Sequence, residues 1–273
     1  MGAYAGRQGS SMAWKIQELS HGWRARVWDE SSAPDRVSQD DHLLIQRVGV
    51  VRAAVLDGVT PTLNTRRPCG QDGAVWAAGV ARTAFRTTEG LEDAVAEANT
   101  LLCDPAITAR DNAQATCVAC DLHGTGEIEF IRAGDCEAWT RAPGQVWRSL
   151  FPDPMWTTQA SSEWKAWAES HPGATRPERQ NAQARLMADE ARWNTTPLGL
   201  FVQVKVQRAT ANGINEIVLA SDGARLNAQR MDDLDGWMDG LRSWEEVEMT
   251  GLAAEKRHDD VTVIHLFRAA PSL

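Results

Sequence analysis

Five stretches of the chain place carboxylates where an apolar run begins or ends. They are "RVSQDDHLLI" (Asp40 and Asp41), "AAVLDGV" (Asp57, followed by Gly58), "RAGDCEAW" (Asp135), "IVLASDGAR" (Asp222) and "RHDDVTVIHL" (Asp259 and Asp260). Taken singly, each has a bland reading, because Asp-Gly is a common turn and Asp beside a strand often bonds local backbone. Five together suggest more. A carboxylate in an apolar interior must be neutralised, paired or bound to a metal. If the strands stack as two sheets, their ends can converge at one edge, where several carboxylates cannot coexist without cations. Oxygen-only ligands without nearby His or Cys point to hard ions, magnesium or manganese. His258, just before Asp259, could protonate a leaving group, but it also reads as a surface histidine at a strand entrance.

The elements that would position these acids are short β-rich runs alternating with helical ones. Strands are expected at Leu43–Gln46, Gly49–Leu56, Ala115–Leu122, Ile128–Ala133, Ala138–Arg141, Val202–Thr210, Glu216–Ala220 and Val261–Phe267. Many are adjacent in sequence, as antiparallel strands are, and the strand-helix-strand rhythm of a parallel sheet is missing. Apolar residues at helical spacing mark Trp76, Val80 and Ala84; Ala184, Met187 and Ala191; and Leu234, Trp237, Met238 and Leu241. Leu91–Leu102 and Glu245–Lys256 are expected to partner the first and last of these. Two helix pairs around two strand clusters suggest a layered sandwich. Arg141 to His171, rich in Trp and Pro and without a clear period, reads as a long excursion.

At 273 residues, 43% hydrophobic and 24% charged, the chain has the composition of an ordinary globular protein. A formal charge of −9 argues against nucleic acid as a partner. No apolar run reaches membrane-spanning length, and "MGAYAGRQGSS" lacks the apolar middle of a signal peptide. Of the five cysteines only Cys117 and Cys120 are closely spaced. On a strand their side chains would point to opposite faces, so free buried thiols in a reducing compartment are the better reading than half a zinc site.

The acidic motifs, with others between them, form an ordered set. "QATCVAC" resembles a Gly-Ser/Thr-Thr-Ala-Val strand, "RAGDCEAW" a Gly-Asp-Ser-Arg hairpin, "TTPLGLF" a Thr-x-x-Leu-Gly segment and "VLASDGA" a Ser-Asp-Gly turn. "RVSQDD" is similar to Arg-x-x-Asn-Glu-Asp, and "HDDVTVI" to Asp-Asn/Asp-x-Thr. In their order along the chain, from about Trp14 to Arg268, these motifs resemble those of the metal-dependent type 2C protein serine/threonine phosphatases. The resemblance implies an α+β, four-layer α-β-β-α sandwich of two antiparallel sheets flanked by helix pairs. It also implies a flexible lead-in at 1–11, a domain at 12–270 and a flap-like insertion at about 142–175.

By the same resemblance, two Mn2+ or Mg2+ ions, with room for a third, would sit at one edge of the sandwich. Asp57 would bridge both, the Gly58 carbonyl would reach one through water, and Asp222 and Asp259 would hold the first ion. Asp40, in the place of the family's Glu, would help hold the second, Asp41 would support the cluster, and Asp135 with Asp222 would flank the third. Arg36 would bind the substrate phosphate through its guanidinium fork. A hydroxide shared by the ions would attack phosphorus directly, without a phosphoenzyme. The expected substrate is a phosphoprotein and the expected setting a bacterial cytoplasm, with the protein a monomer away from membranes.

The chain departs from the family pattern at Thr60 and Pro61, where Gly-Gly is usual, and at Glu137, where Arg is common. These departures keep open a catalytically silent binding or regulatory module of the same fold. A different two-metal phosphoesterase, such as a nuclease, is disfavoured by the lack of a basic stripe.

Overall fold

The protein's structure, a computed structural model, describes residues 14–32, 37–59, 72–103, 113–250 and 259–268. Eleven strands form two antiparallel sheets among these residues. The first sheet contains β1 (Lys15–Glu18), β2 (Trp23–Glu30), β7 (Glu137–Arg141), β8 (Arg148–Ser149), β10 (Glu216–Ala220) and β11 (Val261–Arg268), in the order β1-β2-β11-β10-β7-β8. The second runs β3 (Asp40–Arg47), β4 (Val50–Val59), β5 (Gln114–His123), β6 (Ile128–Ala133) and β9 (Gln207–Ala211), neighbours in that order.

Period-two alternation decides which side chain goes where. On β4, Val51, Ala53 and Val55 face inward and meet Trp23, Ala25, Ile217, Leu219, Ile264 and Leu266 of the other sheet. Ala54 and Leu56 face outward onto α1 (Gly73–Thr87) and α2 (Leu91–Leu102). The α1 contact face is almost all alanine, with Ala74, Ala77, Ala78, Ala81 and Ala84 buried, so the helix can lie close against the sheet. Cys117 and Cys120 fall on opposite faces of β5, as their spacing requires. Burial pushes the Cys117 thiol up to about 12 and raises that of Cys120 as well, so both stay protonated. The other outer layer holds α5 (Ala228–Met231) and α6 (Leu234–Glu248), with Leu234, Met238 and Leu241 packed on Val218, Val261 and Val263.

Several elements differ from expectation. β1 and β2 were not expected, because the arginines in "WRARVWDE" interrupt the apolar signal; Arg26 spends its charge on Asp235 at 2.9 Å. The Val202–Thr210 run is strand only from Gln207, since Lys205 is held by Thr196, with backbone and side-chain bonds of 3.0 and 2.9 Å. Helix α4 (Arg176–Met187) stops before Ala191, where the Asp189 side chain caps a separate 3-10 turn by accepting from the Ala191 N–H at 3.0 Å. Glu245–Glu248 close α6 and do not open a second helix; 251–258 lie outside the described residues. The Arg141–His171 excursion contains β8 and α3 (Thr158–Ser170). Helix α3 lacks an apolar stripe because Ala160 is the buried residue on it. Among the described residues no helix is long and apolar enough to cross a membrane.

One buried ion pair ties α1 to the sheet. Arg52 and Asp121 are opposite each other in the β4–β5 ladder, 2.6 Å apart at Nη2 and Oδ2, with both side chains almost wholly buried. The guanidinium also donates to the carbonyls of Phe85 at 3.0 Å, Thr88 at 2.9 Å and Glu89 at 2.5 Å, closing the C-terminal end of α1. Asp121→Asn leaves the arginine without its counter-charge, and a loss of about 3 to 5 kcal/mol in urea unfolding is expected. A loss under about 1 kcal/mol would show that the carbonyls alone hold Arg52.

Candidate metal centre

The centre is set by strand register. Asp40 opens β3 and Asp57 nearly closes β4, and the two are direct partners in the antiparallel ladder. They share the inner face with Val55 and Val51, so both carboxyls point between the sheets at their open edge. Asp222 follows β10 in a 3-10 turn, Asp259 precedes β11 and Asp135 sits between β6 and β7. All four surround Asp57 electrostatically: its pKa is raised well above the usual carboxylate range, first by burial and then by Asp40, Asp222, Asp135 and Asp259. Among the described residues, no three Asp, Glu, His or Cys side chains stand close enough together to hold an ion as placed.

Asp40 carries the most telling atom. Its Oδ2 is buried and has no hydrogen-bond partner, the one carboxylate oxygen in that condition among the described residues. Burial is the main force pushing its pKa from 3.8 up to about 8; bonds with Ser221 and Asp57 oppose this, and the charges of Asp260 and Asp222 add to it. A buried carboxylate oxygen must be served by a proton or a cation. An all-oxygen donor set of this kind fits a hard divalent ion.

Neighbouring residues hold the acids in place. Asp260 accepts backbone N–H bonds from Ser32 at 2.5 Å and Gln39 at 2.6 Å, so it pins the segment leading into Asp40. Ser221 Oγ accepts from the Thr262 N–H at 3.0 Å, joining the Asp222 turn to β11. At Gly58 a Cβ would lie 2.3 Å from the Ala74 carbonyl oxygen and 2.7 Å from that of Gln39, so only glycine lets α1 back onto the strand here. Gly134, at φ +90°, turns the chain toward Asp135 where a Cβ would meet Thr116 at 2.2 Å. Its N–H donates to Thr195 Oγ1 at 3.1 Å, which gives the "TTPLGLF" segment a role. Asp260 and Thr195 were not singled out for these roles from sequence; the signal for Asp260 was its place beside Asp259.

Of the remaining sequence-derived residues, Asp41 falls elsewhere. Asp41 lies on the outer face, one residue out of phase with Asp40, where it accepts from the His42 N–H at 2.7 Å and faces Arg82 of α1 at 3.5 Å. It is therefore not brought together with the other acids. Arg36 and His258 lie outside the described residues. Glu137 is half-buried and accepts from Trp139 Nε1 at 2.8 Å; burial chiefly raises its pKa, and Asp222 and Asp135 are within reach of its charge.

No family model matches the chain. No curated protein matches it either. Solved structures do. RsbX in complex with magnesium is 12% identical with a TM-score of 0.59, and the match covers 94% of this chain and 100% of that one. Stp1 from Staphylococcus aureus is 13% identical (TM-score 0.56; 90% and 95% covered). PstP/Ppp from Mycobacterium tuberculosis is 15% identical (TM-score 0.54; 91% and 99% covered). The chain has the type 2C phosphatase fold. The chain shares its two-sheet scaffold with these structures over nearly its whole length.

The pH response of the metal-free protein follows from Asp40. A carboxyl whose folded pKa exceeds its unfolded value keeps its proton longer in the native state. Stability from that group is complete below the unfolded value and is lost as pH rises through the folded one. Between 3.8 and about 8, the urea midpoint of the chelator-treated protein should fall, and Asp40→Asn should flatten the decline. An equally steep decline in the variant would remove Asp40 from this account.

Proposed function

We propose that the protein hydrolyses phosphoserine and phosphothreonine in proteins with Mn2+ or Mg2+ held at the carboxylate edge. The observation that carries this reading is Asp40 opposite Asp57 on the inner face, with Asp40 Oδ2 buried and unserved. Asp57 is central, so it would contact both ions; Asp222 and Asp259 would serve the first, and Asp40 with the Gly58 carbonyl the second. Asp135 with Asp222 would flank a third. Asp41 would act from behind the sheet, steadying β3 against α1. Bound ions of this kind acidify a water and neutralise phosphate charge. Arg36 would orient the phosphate through paired N–H donors.

Support for a phosphoprotein client comes from the structural neighbours, several of which are described as serine or serine/threonine phosphatases. The bacterial neighbours and the buried thiols Cys117, Cys120 and Cys136 fit a reducing bacterial cytoplasm. A monomer without nucleic-acid or membrane contacts completes the reading. The silent-module alternative keeps one supporting observation, the absence of three ion-spaced donors among the described residues.

Metal titration decides between them. Phosphate release from an aryl phosphate should require added Mn2+ or Mg2+, vanish on chelation, and fall at least about a hundredfold in Asp57→Asn while that variant stays folded. A folded wild-type protein that neither binds Mn2+ nor releases phosphate would establish the silent module.

The flap provides a separate test of the substrate class. Trp147 is core, buried against His265, and Trp156 packs edge-on to Trp193 at the flap base. Trp164 and Trp167 stack at 5.3 Å on α3 and continue onto His171 at 4.6 Å, leaving a half-exposed aromatic ladder. Such rings suit a polypeptide contact. Changing both Trp164 and Trp167 to Ala should leave aryl phosphate turnover within about twofold and lower kcat/KM for a phosphoprotein about tenfold or more. Equal loss on both substrates, or none, would remove the ladder from substrate binding.

A further inference from the structure

Helix α6 buries an apolar stripe of Leu234, Met238 and Leu241, and the next position on the stripe is a glutamate. Glu245 is fully buried and receives two arginines, Arg225 Nε at 3.0 Å on Oε1 and Arg242 Nη1 at 2.9 Å on Oε2. Each arginine leads to an acid of the candidate centre. Arg242 Nη2 donates to the main-chain carbonyl of Asp259 at 2.8 Å, and its Nε faces Glu30, at the end of β2, at 3.3 Å. Arg225 ends the 3-10 turn that begins at Asp222; its own N–H bonds the Asp222 carbonyl at 3.1 Å. It holds φ +51°, a left-handed conformation that few residues other than glycine adopt without compensation. The compensation is visible: its side chain is seated on Glu245, and its carbonyl receives Arg230. Trp237 Nε1 adds a bond to the Ala224 carbonyl at 2.9 Å.

We infer that Glu245 is a positioning residue that sets the Asp222 turn and the Asp259 entrance relative to each other, so that both carboxylates reach one divalent ion. A buried ion network of this kind is seldom justified by stability alone, because apolar side chains of the same volume do as well or better. What it adds is geometry. One rigid carboxylate fixes two guanidinium forks, and each fork fixes a backbone segment that carries a proposed ligand. Loss of such outer support typically weakens metal binding by about 10- to 100-fold.

The inference rests on the proposed metal-dependent activity, and calorimetric Mn2+ titration of the full chain separates the two. Glu245→Gln should raise the Mn2+ dissociation constant about tenfold or more. In the same variant kcat for an aryl phosphate should fall at low Mn2+ and recover at high Mn2+, with KM for the ester unchanged. Should that variant fail to fold, Arg242→Lys carries the same expectation, since it keeps a charge against Glu245 but loses the fork that reaches Asp259. Asp121→Asn, which breaks the remote Arg52 pair, supplies the control: it lowers stability and leaves Mn2+ affinity unchanged. Unaltered affinity in a folded Glu245→Gln or Arg242→Lys protein overturns the inference alone, as does an equal loss of affinity in Asp121→Asn. A wild-type protein that binds no Mn2+ overturns the underlying activity together with it.

Discussion

Carboxylates repel, and the rest of this structure depends on forcing several of them to one edge. Like charges directly opposite in an antiparallel ladder are destabilising, yet Asp40 and Asp57 are direct partners. Register is what compels the pairing. A slip of one residue would turn every side chain of β3 to the wrong face, taking Leu43 and Ile45 off the helix-covered cluster, Leu44 out of the inter-sheet core and Asp41 in between the sheets. The fitted side chains on both faces of β3, β4 and β5 make that slip costly. The Arg52–Asp121 pair belongs to the adjoining β4–β5 ladder, where it fixes β4 against β5 at the end of the strand away from Asp57. The deep core thus supplies the energy that holds the acids together at the rim.

Acids outside the centre are satisfied in ordinary ways, and the contrast gives the centre its meaning. Asp72 caps α1, Asp121 meets Arg52, Asp41 faces Arg82 and Asp260 takes two backbone N–H groups. Even fully buried Glu245 has two guanidinium partners. Asp40 Oδ2 is the buried carboxylate oxygen left unserved among the described residues. The fold pairs its buried carboxylates outside the centre, whereas Asp40 Oδ2 can be satisfied there by a proton or a cation.

The layered architecture and the acidic edge were legible because both follow from strict patterns. The nearly unbroken apolar run in "VVRAAVLDGV" marks a strand covered on both faces, and Asp-Gly at its end marks where the apolar run stops. The placement of Cys117 and Cys120 followed from period two alone. Asp41 shows the limit of motif reading. Adjacent residues on a strand face opposite ways, so a motif that treats Asp40 and Asp41 as a unit conceals that only one of them points inward. β2 was hidden because its arginines pair with partners far away in sequence, such as Asp235. α3 was hidden because a helix with one buried residue has no stripe to detect. Glu245 left a faint trace, a charge continuing the Leu234–Met238–Leu241 stripe, but its partners required the fold.

The twelve tryptophans divide by what their indole N–H and ring face can reach. Trp23 is fully buried between the sheets, while Trp139 and Trp237 use their N–H groups on Glu137 and on the Ala224 carbonyl beside Asp222. Trp156 and Trp193 meet at the base of the Trp-rich excursion, where Arg132 donates to the carbonyls of Phe151 at 3.3 Å and Asp153 at 2.5 Å. Two residues past Trp193, Thr195 receives the Gly134 N–H one residue before Asp135 and donates to the Lys205 carbonyl at 2.9 Å. The base of the Trp-rich excursion and the Asp135 hairpin therefore share one footing. On the proposed function, the half-exposed ladder of α3 would meet a polypeptide while the edge that carries Asp135 meets its phosphate, the two being joined through Trp193 and Thr195.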